Sequence, residues 1–145
     1  MISVEVFGQD KRTERIECMC NEVLQYLMPR KRKDVDVEVH FVQTCDNNIA
    51  GDCYGDRDEV FINIAKNSYG YKYSFSEQIL TLCHELVHAK QFLTGELDGS
   101  SKGVVWKGVD FSLIRQLSKQ PWEQEAFRLE NTLYDKYFEK YYDRK

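Results

Sequence analysis

Two histidines with a glutamate between them are the residues of this chain whose types and spacing could perform hydrolytic chemistry. His84, Glu85 and His88 lie in the stretch CHELVH, inside a helical pattern of apolar residues. Residues four apart share one face of a helix, so both imidazoles could bind one metal ion from about 2 Å. Glu85 projects to one side, where it could take a proton from a metal-bound water. The pattern predicts a catalytic zinc site, and two unrelated helix histidines are the plainer alternative.

A catalytic zinc site takes three protein ligands, and the sequence favours a carboxylate as the third. No histidine follows His88, and His40 lies upstream on the polar side of a predicted strand, where a solvated role is the simpler interpretation. The acidic candidates downstream of the motif are Glu96, Asp98, Asp110, Glu123, Glu125 and Glu130. The stretch PWEQEAF is favoured, because a second long helix could present an acid beside the first. Helical geometry alone does not separate Glu123 from Glu125.

The elements that must position these residues follow from hydrophobic periodicity. Alternation of apolar and polar residues predicts strands, and apolar residues at helical spacing predict helices. The resulting order is a strand at Ser3–Phe7, a helix from about Lys11 to Met28, a strand at Val35–Phe41, a hairpin over Ile49–Ala65, a helix capped by Ser74 and Gly95, a loop over 95–103, one or two short strands over 104–111, and a helix over Pro121–Tyr142. This order predicts an α+β fold with helices packed on a small, mostly antiparallel sheet.

Composition places the chain among ordinary globular proteins. With 42% hydrophobic residues and no internal repeat or linker, we expect a single domain over residues 1–145. The net charge of −4 argues against nucleic acid as a partner, and no apolar run approaches the roughly 18 residues of a membrane span. Five cysteines without zinc-ribbon spacing, and no apolar leader, predict a reduced protein in the cytoplasm.

The two motifs together carry a resemblance to a known class. CHELVHAKQ followed by PWEQEAF resembles the gluzincin zinc metallopeptidases, in particular the single-domain minimal gluzincins and small phage or bacterial metallopeptidases. The resemblance covers about residues 49–130 and implies a zincin-like minimal domain, with the third ligand on the C-terminal helix. In gluzincins that ligand is a glutamate often followed by alanine, so the resemblance implies Glu125, which precedes Ala126.

The chain also departs from the gluzincin pattern. In gluzincins an aspartate that holds a ligand histidine in place often follows the ligand glutamate by four residues, and Leu129 stands there when Glu125 is the ligand. No downstream histidine is left to stabilise the transition state, so a tyrosine would have to serve, with Tyr134 as a guess. The SprT-like proteases are a neighbouring resemblance, but they typically use three histidines and often a zinc ribbon. Both features are missing from this sequence, which weighs against a role on DNA.

The expected function is a zinc-dependent endopeptidase acting on a peptide or protein substrate. Zinc is held by His84, His88 and Glu125, a zinc-bound water is the nucleophile, and Glu85 is the general base. The alternative is a zinc-binding regulatory protein that cleaves or only binds one specific partner, with little general proteolysis. In either case an exposed edge of the 49–65 hairpin is the expected place for an extended peptide to pair.

Overall fold

The chain forms an α+β arrangement of helices and small sheets. The computed structural model describes residues 1–30, 33–99, 104–111 and 120–142. Within them the helices are α1 (Thr13–Leu27), α2 (Phe75–Leu93) and α3 (Pro121–Tyr142). The strands are β1 (Ile2–Phe7), β2 (Val35–Val42), β3 (Gly51–Gly55), β4 (Glu59–Ala65), β5 (Asn67–Ser68), β6 (Tyr71–Lys72), β7 (Leu97–Asp98), β8 (Val105–Trp106) and β9 (Val109–Asp110). The α+β class predicted from the sequence is confirmed.

The main sheet is mixed, which corrects the prediction of a mostly antiparallel one. Its strand order is β1-β2-β4-β3, with β1 parallel to β2 and β2 parallel to β4. Helix α1 connects β1 to β2, and such a crossover lets the second strand run in the same direction as the first. The predicted hairpin is confirmed, because β3 and β4 are antiparallel. Strand β4 inserts between β2 and β3, so β3 becomes an edge of the sheet.

One face of the main sheet is buried beneath the helices. The predicted alternation along β2 is confirmed, with Val35, Val37 and Val39 buried and Asp36 exposed between them. The buried side chains of Val60, Ile62 and Ile64 in β4 lie on the same face. Helix α1 packs on β1, α2 packs beneath β3 and β4, and α3 packs mainly against α2. This arrangement puts the helix that carries the two histidines directly below the open edge of the sheet.

Helix α2 begins and ends where the sequence predicts. The Ser74 hydroxyl accepts a hydrogen bond from the Glu77 amide, and the Glu77 carboxylate accepts one from the Ser74 amide, which completes a capping box. The helix ends at Leu93, and Gly95 adopts a left-handed φ of 77° just beyond it. Helix α3 begins at Pro121, as predicted.

Short strands follow α2 in a region predicted to be a loop. Strand β7 at Leu97–Asp98 pairs with β8, which pairs with β9, so part of the predicted 95–103 loop is extended and paired. Residues 100–103 lie outside the described part of the chain. The short strands predicted over 104–111 are confirmed by β8 and β9. A two-residue strand leaves little periodic signal, and for this reason the pattern did not reveal β7. None of the described helices is long and apolar enough to cross a membrane.

Candidate metal centre

Three side-chain atoms from two helices converge on one point between α2 and α3. The Nε2 atoms of His84 and His88 lie 3.2 Å apart. The Glu123 Oε1 atom lies 3.1 Å from the first and 2.8 Å from the second. All three residues are at most partly exposed, with His88 buried. The two histidines are therefore brought together as the four-residue spacing predicts, and an acid from α3 completes the group.

The register of α3 explains why Glu123 reaches the histidines. Glu123, Phe127 and Glu130 recur at intervals of four and three residues, which places them on one face of the helix. Each contacts His84, because Glu123 and Glu130 approach its two ring nitrogens and the Phe127 ring lies 4.8 Å away. The adjoining face of α3 carries the buried Trp122, Ala126 and Leu133 of the core. Packing of that apolar face sets the rotation of α3.

The outer nitrogen of each imidazole is held by an oxygen acceptor. The Nδ1 atom of His84 lies 3.2 Å from Glu130 Oε1, and the Nδ1 atom of His88 lies 2.8 Å from Gln91 Oε1. Since carboxylate and amide oxygens only accept, each Nδ1 carries a proton. When the rings are neutral, both Nε2 lone pairs therefore point toward Glu123. Two lone pairs and a carboxylate oxygen in contact need a cation between them, either protons or a metal ion.

The donor set fits a divalent metal ion such as zinc. Ligands at about 2.0–2.2 Å in a tetrahedron are separated from each other by about 3.3–3.5 Å. The three observed separations of 2.8, 3.1 and 3.2 Å are slightly shorter and need only small side-chain shifts. Two imidazoles and one carboxylate form an established ligand set that leaves a fourth position open. The residues present could hold zinc without any rearrangement of the backbone.

The two histidines and Glu123 shift one another's pKa values, because they are in contact. Burial opposes the charged form of His84, but its hydrogen bonds to Glu123 and Glu130 and the charge of Glu85 outweigh burial and raise its pKa to about 9. The pKa of His88 is raised for similar reasons. Burial also opposes ionisation of Glu123, but its bonds to the two histidines lower its pKa to about 2. Without metal, protonated His84 and the Glu123 carboxylate therefore form an ion pair at neutral pH.

Glu85 occupies the position expected of a general base. It lies on the same helix as the histidines, is only 6% exposed, and accepts no hydrogen bond from the described residues. Burial, opposed in part by the charges of His88 and His84, raises its pKa to about 7. A carboxylate with such a pKa can accept and return a proton near neutral pH.

Strand β3 approaches α2 closely above Glu85. A Cβ atom added at Gly51 would lie 2.8 Å from Thr81 Cγ2, 2.9 Å from the Asn63 carbonyl oxygen and 3.4 Å from Glu85 Cγ. The glycine is therefore required for the strand to pass this close to the helix. The close approach brings the backbone of the sheet edge alongside the candidate base.

The structure does not bring the predicted ligand Glu125 to the histidines, and the acid that reaches them is Glu123. Glu125 Oε1 instead accepts hydrogen bonds from Lys90 Nζ and Gln91 Nε2, both at 3.0 Å. Residues two apart on a helix point about 200° apart around its axis, so both acids cannot face the same point. An alanine after the glutamate did not identify the ligand in this chain.

The other candidate ligands have different surroundings. Glu96 pairs with Lys90 at 2.7 Å, and Asp98 and Asp110 are exposed. His40 lies on the uncovered face of the main sheet, 3.0 Å from Glu38, in agreement with a solvated role. Tyr134, the guessed transition-state residue, stacks on Phe138 and lines a separate concavity.

A cavity of about 740 Å³ opens over the three converging atoms. Its volume is in the range of sites that take small molecules or peptide segments. Strand β3 and the two residues preceding it form one wall, and α2 and α3 form the floor. The lining residues are Ile49, Ala50, Gly51, Asp52, Cys53, Thr81, His84, Glu85, His88, Phe92, Leu97, Gly99, Val104, Trp122, Glu123, Phe127 and Glu130. Among these described residues there is neither a lysine nor an arginine nor a tyrosine.

Two supporting residues were not found from the sequence. Glu130 was considered only as a ligand, although its seven-residue spacing from Glu123 indicates that both lie on one helix face. Gln91 lies three residues after His88 and is fully buried in α2. A glutamine at that spacing from the histidine, next to apolar Phe92 and Leu93, is the sequence signal that could have identified it.

Comparison with known protein families, curated proteins and solved structures finds no significant match to the chain.

Proposed function

We propose that this chain is a zinc-dependent metallopeptidase with a zincin-like fold. In this proposal His84, His88 and Glu123 hold the ion, and Glu85 is the general base. The observation that carries the proposal is the convergence of two Nε2 atoms and one carboxylate oxygen within 3.2 Å of each other, beside a buried glutamate. A mixed sheet whose antiparallel edge strand runs above the histidine helix supports the zincin-like assignment.

Each residue of the centre has a role in peptide hydrolysis. Bound zinc supplies a Lewis acid that polarises the substrate carbonyl and lowers the pKa of water to about 7. Glu85 accepts the proton of the attacking water and delivers it to the leaving amine. Its burial and its freedom from other hydrogen bonds within the described residues leave both carboxylate oxygens available for that transfer. Glu130 orients His84 through Nδ1.

The edge of β3 offers a place for an extended peptide. The Ala65 amide donates to the Ala50 carbonyl, and the Asp56 amide donates to the Glu59 carbonyl. These bonds fix the register of the hairpin, so the amides and carbonyls of Gly51, Cys53 and Gly55 point away from β4. A substrate strand could pair with these groups along the cavity.

Endopeptidase action is favoured over carboxypeptidase action. Pairing along a strand edge grips the backbone of a substrate rather than its end. A carboxypeptidase also needs a cationic group for the terminal carboxylate, and the described lining residues offer none.

The cysteines support a reducing compartment such as the cytoplasm. All five thiols, those of Cys18, Cys20, Cys45, Cys53 and Cys83, are free. Disulfides form in oxidising compartments, where five unpaired thiols would be unusual.

A second candidate function is a zinc-binding regulatory protein that cleaves or only binds one partner. It is favoured by one observation, the lack of a phenolic or cationic side chain among the described lining residues. Such a group commonly stabilises the oxyanion that develops during peptide hydrolysis. Cleavage of a single well-fitting partner could depend on precise docking instead.

Measurement of metal content and cleavage tests the proposal. The full chain, purified without chelators, should contain one equivalent of zinc and cleave members of a peptide library. Glu85→Gln should keep the zinc and lose at least about 1000-fold in kcat/KM, because the base is removed while the ligands remain. Glu14→Gln, an exposed change in α1, is the matched control and should have no effect.

The outcomes separate the two candidate functions from an accidental motif. Zinc far below one equivalent would remove the metal centre from the proposal. Zinc at one equivalent without turnover of any library peptide would favour the regulatory protein. Cleavage by Glu85→Gln at the wild-type rate would exclude the assigned base.

A further inference from the structure

Gln91 links the metal centre to an acid that does not touch it. The Gln91 side chain is fully buried, and its Oε1 atom accepts a hydrogen bond from His88 Nδ1 at 2.8 Å. Its Nε2 atom donates to the Trp122 carbonyl at 2.9 Å and to Glu125 Oε1 at 3.0 Å. Both hydrogens of the amide are therefore used, and the oxygen faces the histidine.

These bonds permit only one orientation of the Gln91 amide. A rotation by 180° would place the NH₂ group against the Nδ1 proton of His88. It would also place the amide oxygen against the Trp122 carbonyl and the Glu125 carboxylate. Three attractive contacts would become repulsive, and buried groups left without partners cost about 1–3 kcal/mol each.

Glu125 is itself held in place by the Lys90 ammonium group and the Gln91 amide. Lys90 Nζ lies 3.0 Å from Glu125 and 2.7 Å from Glu96, so it joins both carboxylates. Glu125 is only 15% exposed. The order of contacts therefore runs from Lys90 through Glu125 and Gln91 to the outer nitrogen of His88.

We propose that Gln91 and Glu125 are positioning residues that select the tautomer of His88, with the proton on Nδ1 and the lone pair of Nε2 directed at the centre. Glu125 acts by orienting the Gln91 amide, and Gln91 acts by accepting from the imidazole. The consequence for metal binding rests on the proposed function, whereas the selection of the tautomer does not.

A glutamine suits this position better than a charged residue. A carboxylate at residue 91 could still accept from His88, but it would face Glu125 and the Trp122 carbonyl without a hydrogen to donate. The neutral amide accepts on one side and donates on the other, so it connects a histidine to an acid without placing two buried anions together.

Two variants test the proposal by different readouts. In Gln91→Met the amide is replaced by an apolar chain of similar length, and in Glu125→Ala the orienting acid is removed. The zinc dissociation constant, measured by competition with a chromogenic chelator, should rise about 10–100-fold in the first variant and less in the second. Nitrogen-15 NMR of the neutral imidazoles in metal-free protein should show the Nδ1-protonated form of His88 in the wild type and a mixture of tautomers in both variants.

Conservative and remote changes provide the controls. Glu125→Gln keeps an oxygen acceptor for Gln91 and should preserve the wild-type tautomer. Glu139→Gln, an exposed change on the same helix, should alter neither readout. Glu125 is partly exposed, so its variants keep the test available if Gln91→Met does not fold.

One result overturns the inference whatever the metal does. If His88 keeps a single Nδ1-protonated tautomer in the folded variants that lack the Gln91 or Glu125 contact, neither residue selects it. The NMR measurement is made on metal-free protein at about pH 10, where a neutral imidazole is expected, because zinc on Nε2 would itself fix the proton on Nδ1. A wild type that binds no zinc would then reject the proposed function, while the tautomer would still decide this inference.

Discussion

The two edge strands of the main sheet differ in whether their outward backbone groups are hydrogen-bonded. At the β1 edge, the register with β2 directs the backbone groups of Ile2, Val4 and Val6 outward. Helix α1 covers two of them, because Asn21 Nδ2 donates to the Ile2 carbonyl at 2.9 Å and Glu17 Oε2 accepts from the Val6 amide at 3.0 Å. Side chains of a neighbouring helix therefore block this edge against pairing with another strand.

The β3 edge has no such cover among the described residues. Its outward groups belong to Gly51, Cys53 and Gly55, and no described side chain bonds to them. An open edge strand is a liability for aggregation, and proteins usually cover or shorten it. This chain covers the edge that is remote from the histidines and leaves open the one beside them. Under the proposed function, the open edge is the one along which an extended peptide would pair.

The largest expected effect comes from placing a proline on each edge strand, at a residue whose amide points away from the sheet. Cys53→Pro removes an outward amide of β3 and leaves the bonds to β4 intact, as edge strands tolerate. We expect kcat/KM for peptide cleavage to fall about 100-fold, because substrate pairing loses a hydrogen bond and the ring obstructs the edge. Steady-state kinetics with a cleavable peptide, at matched zinc occupancy, measures the effect.

Val4→Pro is the matched control, because the Val4 amide also points outward. It should lower the free energy of unfolding by an amount similar to Cys53→Pro and leave kcat/KM unchanged. Equal losses of activity in the two variants would mean that the open edge has no special role.

A second test uses pH, since the histidine cluster lies below the open edge only. The pKa of His84 is raised from 6.5 to about 9 on folding, so its stabilising contribution is complete below pH 6.5 and is lost as pH rises through 9. The pKa of Glu85 is raised from 4.5 to about 7, so the cost of burying its charge develops over that interval. Both effects have the same sign, because the folded state binds more protons. Since each pKa unit corresponds to about 1.4 kcal/mol, metal-free protein should lose roughly 3–6 kcal/mol of unfolding free energy between pH 5 and 9.

Urea unfolding across this pH range, with chelator or with saturating zinc, measures the effect. Zinc takes the place of the protons bound by the cluster, so the affinity for zinc should increase as pH rises. With saturating zinc, the loss of unfolding free energy at high pH should disappear. His84→Asn should flatten the metal-free profile. His40→Asn is the control, since His40 stacks on Phe7 beside the closed edge, and it should leave the profile unchanged. A wild-type profile that is already flat would contradict the coupling described for the cluster.

Elements with strong periodicity could be predicted from the sequence, but their mutual direction could not. The alternation of β2, the capping box at Ser74 and the proline start of α3 each reflect local chemistry, and each is confirmed. Parallel or antiparallel pairing depends on contacts between residues far apart in the chain, which a local pattern does not contain. Strand β4 runs parallel to β2 because β3 takes the edge position, and nothing within either strand encodes that order.

Only part of the candidate site could likewise be predicted from the sequence. His84 and His88 lie one helical turn apart, and local geometry is enough to bring them together. The choice between Glu123 and Glu125 depends on the rotation of α3, which is set by the packing of Trp122 and its apolar neighbours on α2. The Glu125-Ala126 pair, on which the resemblance based its choice of ligand, carries no information about that packing.

The smallest expected effect comes from opening the closed edge. In the double variant Glu17→Ala with Asn21→Ala, the Ile2 carbonyl and the Val6 amide lose their partners, and the edge becomes accessible to another strand. We expect a loss of about 1 kcal/mol in unfolding free energy, since each part-buried hydrogen bond contributes about 0.5–1.5 kcal/mol and water can replace part of it. Self-association should increase in sedimentation experiments, while kcat/KM for peptides should not change. Glu14→Ala, an exposed change on the same helix, is the control for altered charge. An unchanged association state would show that α1 does not protect the β1 edge, and the contrast between the two edges would then rest on the cavity alone.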